Sequence, residues 1–445
     1  MRIKQISITK LFGIFDHVIP LNLDERITII HGINGVGKTS ILKLINGLFN
    51  IKYSDIRSIP FQDFKISFDQ GDYVLVTKDS QEENKKSKIL ALFQDKNGTK
   101  EKFDFQTLFR NIKGFRERSL SFEEYIPELK RISLREWFYL PDGDILSLEE
   151  IIERFGHRLP LTIGEEFKQL PEWLQNLRES LNVRLIESQR LFRFSNDFRS
   201  ESIRNRSPKM ELSVVTYSDE LVENIQLKLT EYGKLSQSLD RTFPARVMKT
   251  KIVVELTDSQ LREKLEQLEN ERKNLIHTGL LIQDESNFQI TDDNLDESTR
   301  KLLSVYVEDV ERKLNVFSDL APKIELFQRI INQRFTHKTL VINQGKGFIL
   351  ETDQGEPLSL TDLSSGEQHE LVMLYELLFK VKPGSLILID EPEISLHVGW
   401  QVKFLEDLQE IAKLADIDIL LATHSPDIIN GRWDLTVELK GKGIS

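Results

Sequence analysis

Chemically capable residues gather early in the chain at Gly32-Ile33-Asn34-Gly35-Val36-Gly37-Lys38-Thr39, with Ser40 following. The glycines let main-chain N–H groups converge on an anion. Lys38 can then reach the outer phosphates of a nucleotide, and the Thr39 hydroxyl can hold a divalent cation. This G-x-x-x-x-G-K-[ST] pattern sits between an apolar run, Ile27-Thr28-Ile29-Ile30, and a helical stretch from Lys38 to about Phe49. Phosphate cradling needs that strand, loop and helix order. Much later, Leu386-Ile387-Leu388-Ile389-Asp390 reads as a buried strand ending in a carboxylate, with Glu391 next. A strand-end aspartate can position a metal through water, and its neighbour can take a proton from an attacking water. Alone the pair could also be an acidic turn after a buried strand; beside the glycine-rich loop it reads as the other half of a phosphoryl-transfer site.

Three more pieces lie in order around this strand. Leu363-Ser364-Ser365-Gly366-Glu367-Gln368 precedes a helix whose free N–H groups can face an anion, although the same residues also make a good helix cap. Glu393-Ile394-Ser395-Leu396-His397 follows the carboxylates, and Thr423-His424-Ser425-Pro426 ends a later strand. The ordered set resembles ABC-type ATPases, with a signature loop, a D-loop and a switch histidine in that family's sequence. The resemblance implies ATP and Mg²⁺, with Asn34, Gly35, Val36, Gly37, Lys38, Thr39 and Ser40 around the phosphates. Thr39 and Asp390 would stand near the metal, Glu391 would be the base and His424 would contact the γ-phosphate. Ser364, Gly366 and Glu367 would act on a nucleotide held by the opposite subunit of a head-to-tail homodimer; assembly beyond the dimer is left open. The glutamine that links nucleotide and metal to the helical region is assigned to Gln189, just past strand Val183–Glu187, with Gln62 as the second candidate.

The elements that must position these residues read as follows. Alternation at Ile3, Ile6 and Ile8 gives strand, and short β-branched or aromatic runs from Ser58 to about Phe105 predict a small antiparallel sheet. Residues 121–181 read as mainly helical and irregular. Helical spacing at Leu221, Ile225, Leu229, Tyr232, Leu235 and Leu239 recurs at Leu261, Leu265, Leu268 and Leu275. Leu303, Val307, Val310, Leu314 and Phe317 form the seam of an antiparallel hairpin that Pro322 interrupts, or else of a compact helical subdomain. Legs of roughly 35 residues reach only about 50 Å. A β-meander (Thr339 to Leu360), a helix from about Gly366, then strand, helix (Gly399 to Leu414) and strand (Ile417 to Thr423) complete the chain. The expected fold class is α/β: an ABC-type P-loop head with an antiparallel β subdomain and a central, short coiled-coil-like helical insertion. The expected parts are 1–110 and 336–445 as the two halves of the head, 111–218 as a helical or irregular insert carrying strand Val183–Glu187, and 219–335 as the helical hairpin.

Composition bounds the partners. The chain of 445 residues contains no cysteine, so disulfides and thiolate-held metal centres are excluded, which fits a reducing, cytoplasmic setting. No apolar leader or membrane-length run is seen. The net charge of −11 argues against a protein that coats nucleic acid with its whole surface. A local basic face remains: Arg184 to Lys209 carries seven basic residues against three acids, with Phe192, Phe194 and Phe198 between them. That segment could track phosphates and stack bases, or Gln189 and Arg190 serve the nucleotide while the phenylalanines pack the head.

More than 300 residues separate Lys38 from the signature-like loop, unlike transporter domains and similar to SMC, RecF and OLD-like heads. Val183-Arg184-Leu185-Ile186-Glu187-Ser188-Gln189-Arg190-Leu191 and Leu239-Asp240-Arg241-Thr242-Phe243-Pro244 look similar to ATPase subunits of Septu-type anti-phage systems, some retron-associated. No Toprim-like segment follows His424, so the nuclease would be a separate partner, by that resemblance an HNH enzyme. A repair ATPase that itself binds DNA, and a slow ATP-switched scaffold, remain the other readings.

Overall fold

The computed structural model describes residues 1–50, 52–79, 88–105, 122–124, 126, 128–133, 136–140, 143–155, 170–186, 192–194, 210–249, 257–283 and 295–441. In chain order the elements are β1 (Ile3–Leu11), β2 (Phe15–Pro20), β3 (Ile27–His31), α1 (Lys38–Asn50), α2 (Tyr53–Ser58), β4 (Asp63–Phe68), β5 (Tyr73–Asp79), β6 (Lys88–Gln94), β7 (Lys100–Asp104), β8 (Leu129–Arg131), β9 (Glu136–Tyr139), β10 (Asp144–Ser147), α3 (Leu148–Phe155), α4 (Glu172–Ser180) and β11 (Val183–Ile186). The short β12 (Phe192–Phe194) and β13 (Met210–Leu212) lead into α5 (Ser213–Lys249), α6 (Asp258–His277), α7 (Glu297–Leu314), α8 (Ala321–Arg334), β14 (Lys338–Asn343), β15 (Gly347–Thr352), β16 (Pro357–Leu358) and α9 (Ser365–Phe379). The last part contains β17 (Leu386–Asp390), α10 (Val398–Ala415), β18 (Asp418–Ala422), α11 (Pro426–Ile429) and β19 (Thr436–Glu438). The chain forms two compact units, one of residues 1–211 with 380–445, the other of residues 212–379.

In the first unit a parallel sheet runs in the order β11-β17-β18-β3-β19. Its three central strands β17, β18 and β3 are largely apolar, as strands covered on both faces must be: Ile27, Ile29, Ile30, Ile387, Leu388, Leu420 and Leu421 are all buried. Register places Asp390 opposite Ala422 and Ala422 opposite Ile30, so three strands finish level. A second sheet, antiparallel in the order β2-β1-β4-β5-β6-β7, supplies its alternate residues Ile6, Ile8, Phe64, Ile66, Val74 and Val76 to the same core as α1. Arg2, next to β1, ties this sheet to the parallel one through hydrogen bonds of 2.7 and 2.5 Å to Asp418 on β18.

The stretch 121–181 departs from its mainly helical and irregular reading. It holds α3 and α4, but also a three-stranded antiparallel sheet, β10-β9-β8. Strands of three or four residues are too short for alternation to register in sequence. Their own small core is Phe122, Ile126, Leu129, Trp137, Leu146, Ile151 and Phe155.

The second unit is built on α5, a helix of 37 residues that continues through Pro244. Ion pairs Arg246–Asp309 and Lys313–Asp240 (2.8 Å) set α7 antiparallel to α5. Pairs Arg300–Asp258 (2.9 Å) and Lys264–Glu311 (3.8 Å) set α6 and α7 side by side in the same direction. The insertion is therefore a three-helix arrangement, where the heptad spacing alone suggests a two-legged hairpin. Leu303, Val307, Val310, Leu314 and Phe317 do form a buried seam. Pro322 begins α8 instead of breaking a helix, because the first turn has no use for its missing N–H. The meander β14-β15-β16 stands as its turn residues predict. The α/β fold class expected from sequence, a P-loop head with an antiparallel sheet and a helical insertion, is the one observed.

Candidate active site

The level strand ends decide where the chemistry can sit. β3 runs into Gly32, β17 into Glu391 and β18 into Thr423 and His424, so all three loops open at the carboxyl edge of one parallel sheet. That edge is where open α/β sheets bind ligands. A cavity of about 600 Å³ lies there, lined by Phe12, Asn34, Gly35, Gly37, Lys38, Thr39, Ser40, Glu391, Glu393, Ile394 and His424.

The glycine-rich loop is shaped by close approaches. Gly32 passes so near β19 that a Cβ would stand 2.6 Å from the Leu439 carbonyl oxygen. Gly37 has φ +101°, and a Cβ there would meet Leu11 Cδ2 at 2.4 Å. Val36 differs from its neighbours in the loop: its side chain is fully buried, and its carbonyl accepts a 3.1 Å hydrogen bond from His17 Nε2. Only the main chain of Val36 is left to serve a ligand. Burial lowers the His17 pKa, which the Val36 hydrogen bond opposes, so this ring is a neutral strut under the loop.

Lys38 opens α1 and turns its ammonium back over its own loop, donating to the carbonyls of Gly32 (3.2 Å) and Ile33 (3.5 Å) and meeting His424 Nε2. Burial lowers its pKa, and the carboxylates of Glu391, Asp390 and Glu393 offset part of that shift. Nε2 of His424 lies between two partners, Lys38 Nζ on one side and Glu391 Oε1 at 3.5 Å on the other. The tautomer decides which of them it serves.

Thr39 Oγ1 donates to Asp390 Oδ1 at 3.1 Å, so the hydroxyl and the strand-end carboxylate share one point beside the cavity. Glu391 follows with φ 43°, a left-handed conformation rare for a side chain of this size. Its N–H is held by Ala422 (2.9 Å) and its carbonyl by Ile394 (3.2 Å). The sharp turn brings the Glu391 side chain to the cavity wall while Asp390 stays with the strand.

Ser364, Gly366 and Glu367 belong to the second unit. Ser364 donates through both N and Oγ to Glu367 Oε2 at 2.9 Å, a reciprocal cap on α9. Lys338 Nζ bridges both oxygens of the same carboxylate, at 2.7 and 2.9 Å. Burial works to raise the Glu367 pKa, but the bonds from Lys338 and Ser364 outweigh it and hold the group below the ordinary carboxylate range. Gln189 lies outside the described residues, as does most of the basic segment Arg184–Lys209. Gln62 is exposed at the foot of β4, pairs through its backbone with Thr9 and Lys78, and is not part of the cavity wall. Phe12, His17, Glu393 and Gln401 also belong to the site and were not expected there. Of these only Glu393 stood in a motif; Phe12 is in the turn between β1 and β2, and His17 and Gln401 are ordinary strand and helix positions.

Among the described residues no group of three or more His, Cys, Asp or Glu could hold a metal by itself. No helix among them is long and apolar enough to cross a membrane. Among solved structures, the chain is similar to the Smc head domain with an extended coiled coil bound to the C-terminal domain of ScpA from Pyrococcus furiosus, at 14% identity over 96% of this chain and 91% of that one, with a TM-score of 0.34. It is also similar to the SMC head domain from Thermotoga maritima, at 14% identity over 96% and 91% of the two chains, with a TM-score of 0.32. Likeness at those scores adds no weight to the functional reading. No curated protein matches the chain. Residues 27–430 match the family model described as "AAA domain, putative AbiEii toxin, Type IV TA system". That span runs from the first residue of β3 past α11 and takes in the loops after β3, β17 and β18, and the chain belongs to this AAA-domain family.

Proposed function

We propose that the chain binds ATP with Mg²⁺ and hydrolyses it, acting as a head-to-tail homodimer that regulates a separate effector. One observation carries the reading: Lys38, Thr39, Glu391 and His424 line a single cavity on the carboxyl edge of a parallel sheet, and Asp390 stands behind Thr39, bonded to its hydroxyl. The register of β3, β18 and β17 brings these residues together from opposite ends of the sequence, and phosphoryl transfer to water uses each of them.

The donor set fits magnesium. One hydroxyl and one carboxylate at 3.1 Å are what an ion needs when it takes its remaining oxygens from phosphate and water. Bound there, the ion would neutralise charge on the phosphates. On nucleotide binding Lys38 trades the carbonyls of Gly32 and Ile33 for phosphate oxygens, which also frees His424. Glu391 accepts a proton from the attacking water as its oxygen bonds to the γ-phosphorus. The bond to the β-bridging oxygen breaks, and ADP leaves. Low-dielectric walls strengthen each of these contacts. Ser364 and Gly366 would complete the cavity of a second copy, and Gln189 would join the metal from the segment beyond β11.

In cells we place the protein in the cytoplasm, as the sensor subunit of an anti-phage complex of the Septu kind, holding a nuclease until nucleotide state changes. The toxin–antitoxin setting in the family's description agrees with a paired system, and the similarity of residues 183–191 and 239–244 supports the Septu branch. Tagged Glu391→Gln chain, loaded with MgATP and recovered from its native host, tests both parts. A dimer carrying a stoichiometric nuclease is the expected product. DNA without a protein partner would replace the defence reading with direct DNA repair, and a monomer with no bound nucleotide would overturn the ATPase reading itself.

A further inference from the structure

Glu393 holds a carboxylate that the hydrolytic steps above do not use. It sits in the 3-10 turn Pro392–Ile394 that follows the left-handed Glu391. Its Oε1 accepts the main-chain N–H of His424 at 2.7 Å. Its Oε2 is buried and without a hydrogen-bond partner. Glu393 as a whole is half-buried, but a carboxylate oxygen shielded from water ordinarily gathers donors. This one spends its single side-chain hydrogen bond on the loop that carries the switch histidine. A second tie runs beside it: Gln401, buried on α10, accepts the Ser425 hydroxyl at 2.7 Å and donates to the carbonyls of Leu396 (3.3 Å) and Glu393 (3.5 Å). The turn after Glu391 and the loop after β18 are therefore fastened together at the His424 N–H, and α10 holds the loop again at Ser425.

We propose that Glu393 is a positioning residue for hydrolysis, fixing the His424 backbone so that the imidazole stays within reach of both Lys38 and Glu391. Without this fastening, residues 423–425 keep the bond from Thr423 N to the Ile30 carbonyl (3.2 Å), the bond from Ser425 N to Thr423 Oγ1 (3.0 Å) and the tie from Ser425 to Gln401. The His424 N–H between those points would then turn to water, and the ring would swing with it. The proposal rests on the ATPase reading but makes a separate claim: Glu393 contributes to turnover and not to nucleotide affinity.

The test compares the unmodified chain with Glu393→Ala and Glu393→Gln by steady-state phosphate release and by binding of a fluorescent ATP analogue. An amide oxygen can accept the same N–H, so Glu393→Gln should keep most of the kcat. Glu393→Ala should lose about tenfold or more in kcat, with KM and analogue affinity within about twofold. Equal kcat for Glu393→Ala and the unmodified chain would overturn the proposal, and so would a Gln variant no better than the Ala variant. Loss of analogue binding in Glu393→Ala, with its thermal melt unchanged, would also overturn it by placing Glu393 in nucleotide affinity. An unmodified chain that releases no phosphate would overturn the ATPase reading first, and this inference with it.

Discussion

Thr39 and Asp390 stand 3.1 Å apart, hydroxyl to carboxylate, although 351 positions separate them in sequence. β3 and β17 flank β18 in the sheet, and their ends are level, so the strand register makes this contact possible. Under the proposed ATPase reading this pair would hold the metal. Replacing Thr39 by Val keeps the shape of the side chain and removes the oxygen. The variant should need a higher Mg²⁺ concentration for half-maximal turnover, with the loss in kcat reaching about tenfold to a hundredfold. A magnesium titration of ATP turnover measures this directly, and an unchanged titration curve would remove Thr39 from the metal site.

Gly37→Ala should separate folding from binding. The φ of +101° and the 2.4 Å approach to Leu11 add strain of about 1–3 kcal/mol. The loop can relieve it only by moving the amides that the phosphates need. The expected result is a folded protein, melting a few degrees lower, that no longer binds a fluorescent ATP analogue. Full binding would show that this loop does not hold the phosphates.

The cap at the signature-like loop should titrate. The carboxyl group of Glu367 is held below its ordinary range in the folded chain. Its contribution to stability is therefore complete above the unfolded value of about 4.3 and is lost as pH falls through the folded value. Melting temperature followed from neutral pH down to pH 3 should fall less steeply for Glu367→Gln than for the unmodified chain. Parallel curves would mean that the Lys338 bridge is energetically silent.

In the second unit, Arg334 and Glu370 form an ion pair whose side chains are 4% and 0% exposed. Truncating one partner strands the other, so Arg334→Met should destabilise the chain by about 3–5 kcal/mol. The double change Arg334→Met with Glu370→Leu should recover most of that loss. Denaturant unfolding of both variants decides it: a double variant no more stable than the single one would contradict the account of a stranded charge.

Much of this site could be read from residue order, because each loop is announced locally. Gly32 to Thr39 follows an apolar strand; Asp390 and Glu391 end another; Thr423 and His424 end a third. Runs such as Leu386–Asp390 are short, continuous and flanked by turn residues, and long helices such as α5 and α10 carry their period over many turns. What sequence could not show depends on pairing between distant segments. The three strands of β8–β10 are too brief to alternate, and nothing in α6 or α7 announces that the two helices run in the same direction. His17 looks like any inward strand position until Val36 is seen above it. Gln401 is one polar residue on a helix until Ser425 and Leu396 are placed beside it.

The central claim is that the cavity at the ends of β3, β17 and β18 hydrolyses ATP when two copies meet. Phosphate release from MgATP, measured across a range of protein concentrations for the unmodified chain and for Glu391→Gln, tests it most directly. The rate per chain should rise with concentration and level off as dimers fill, with a loss of about 10²–10⁴ in the Glu391→Gln variant while nucleotide stays bound. No release at any concentration, or release by Glu391→Gln at the unmodified rate, would contradict it.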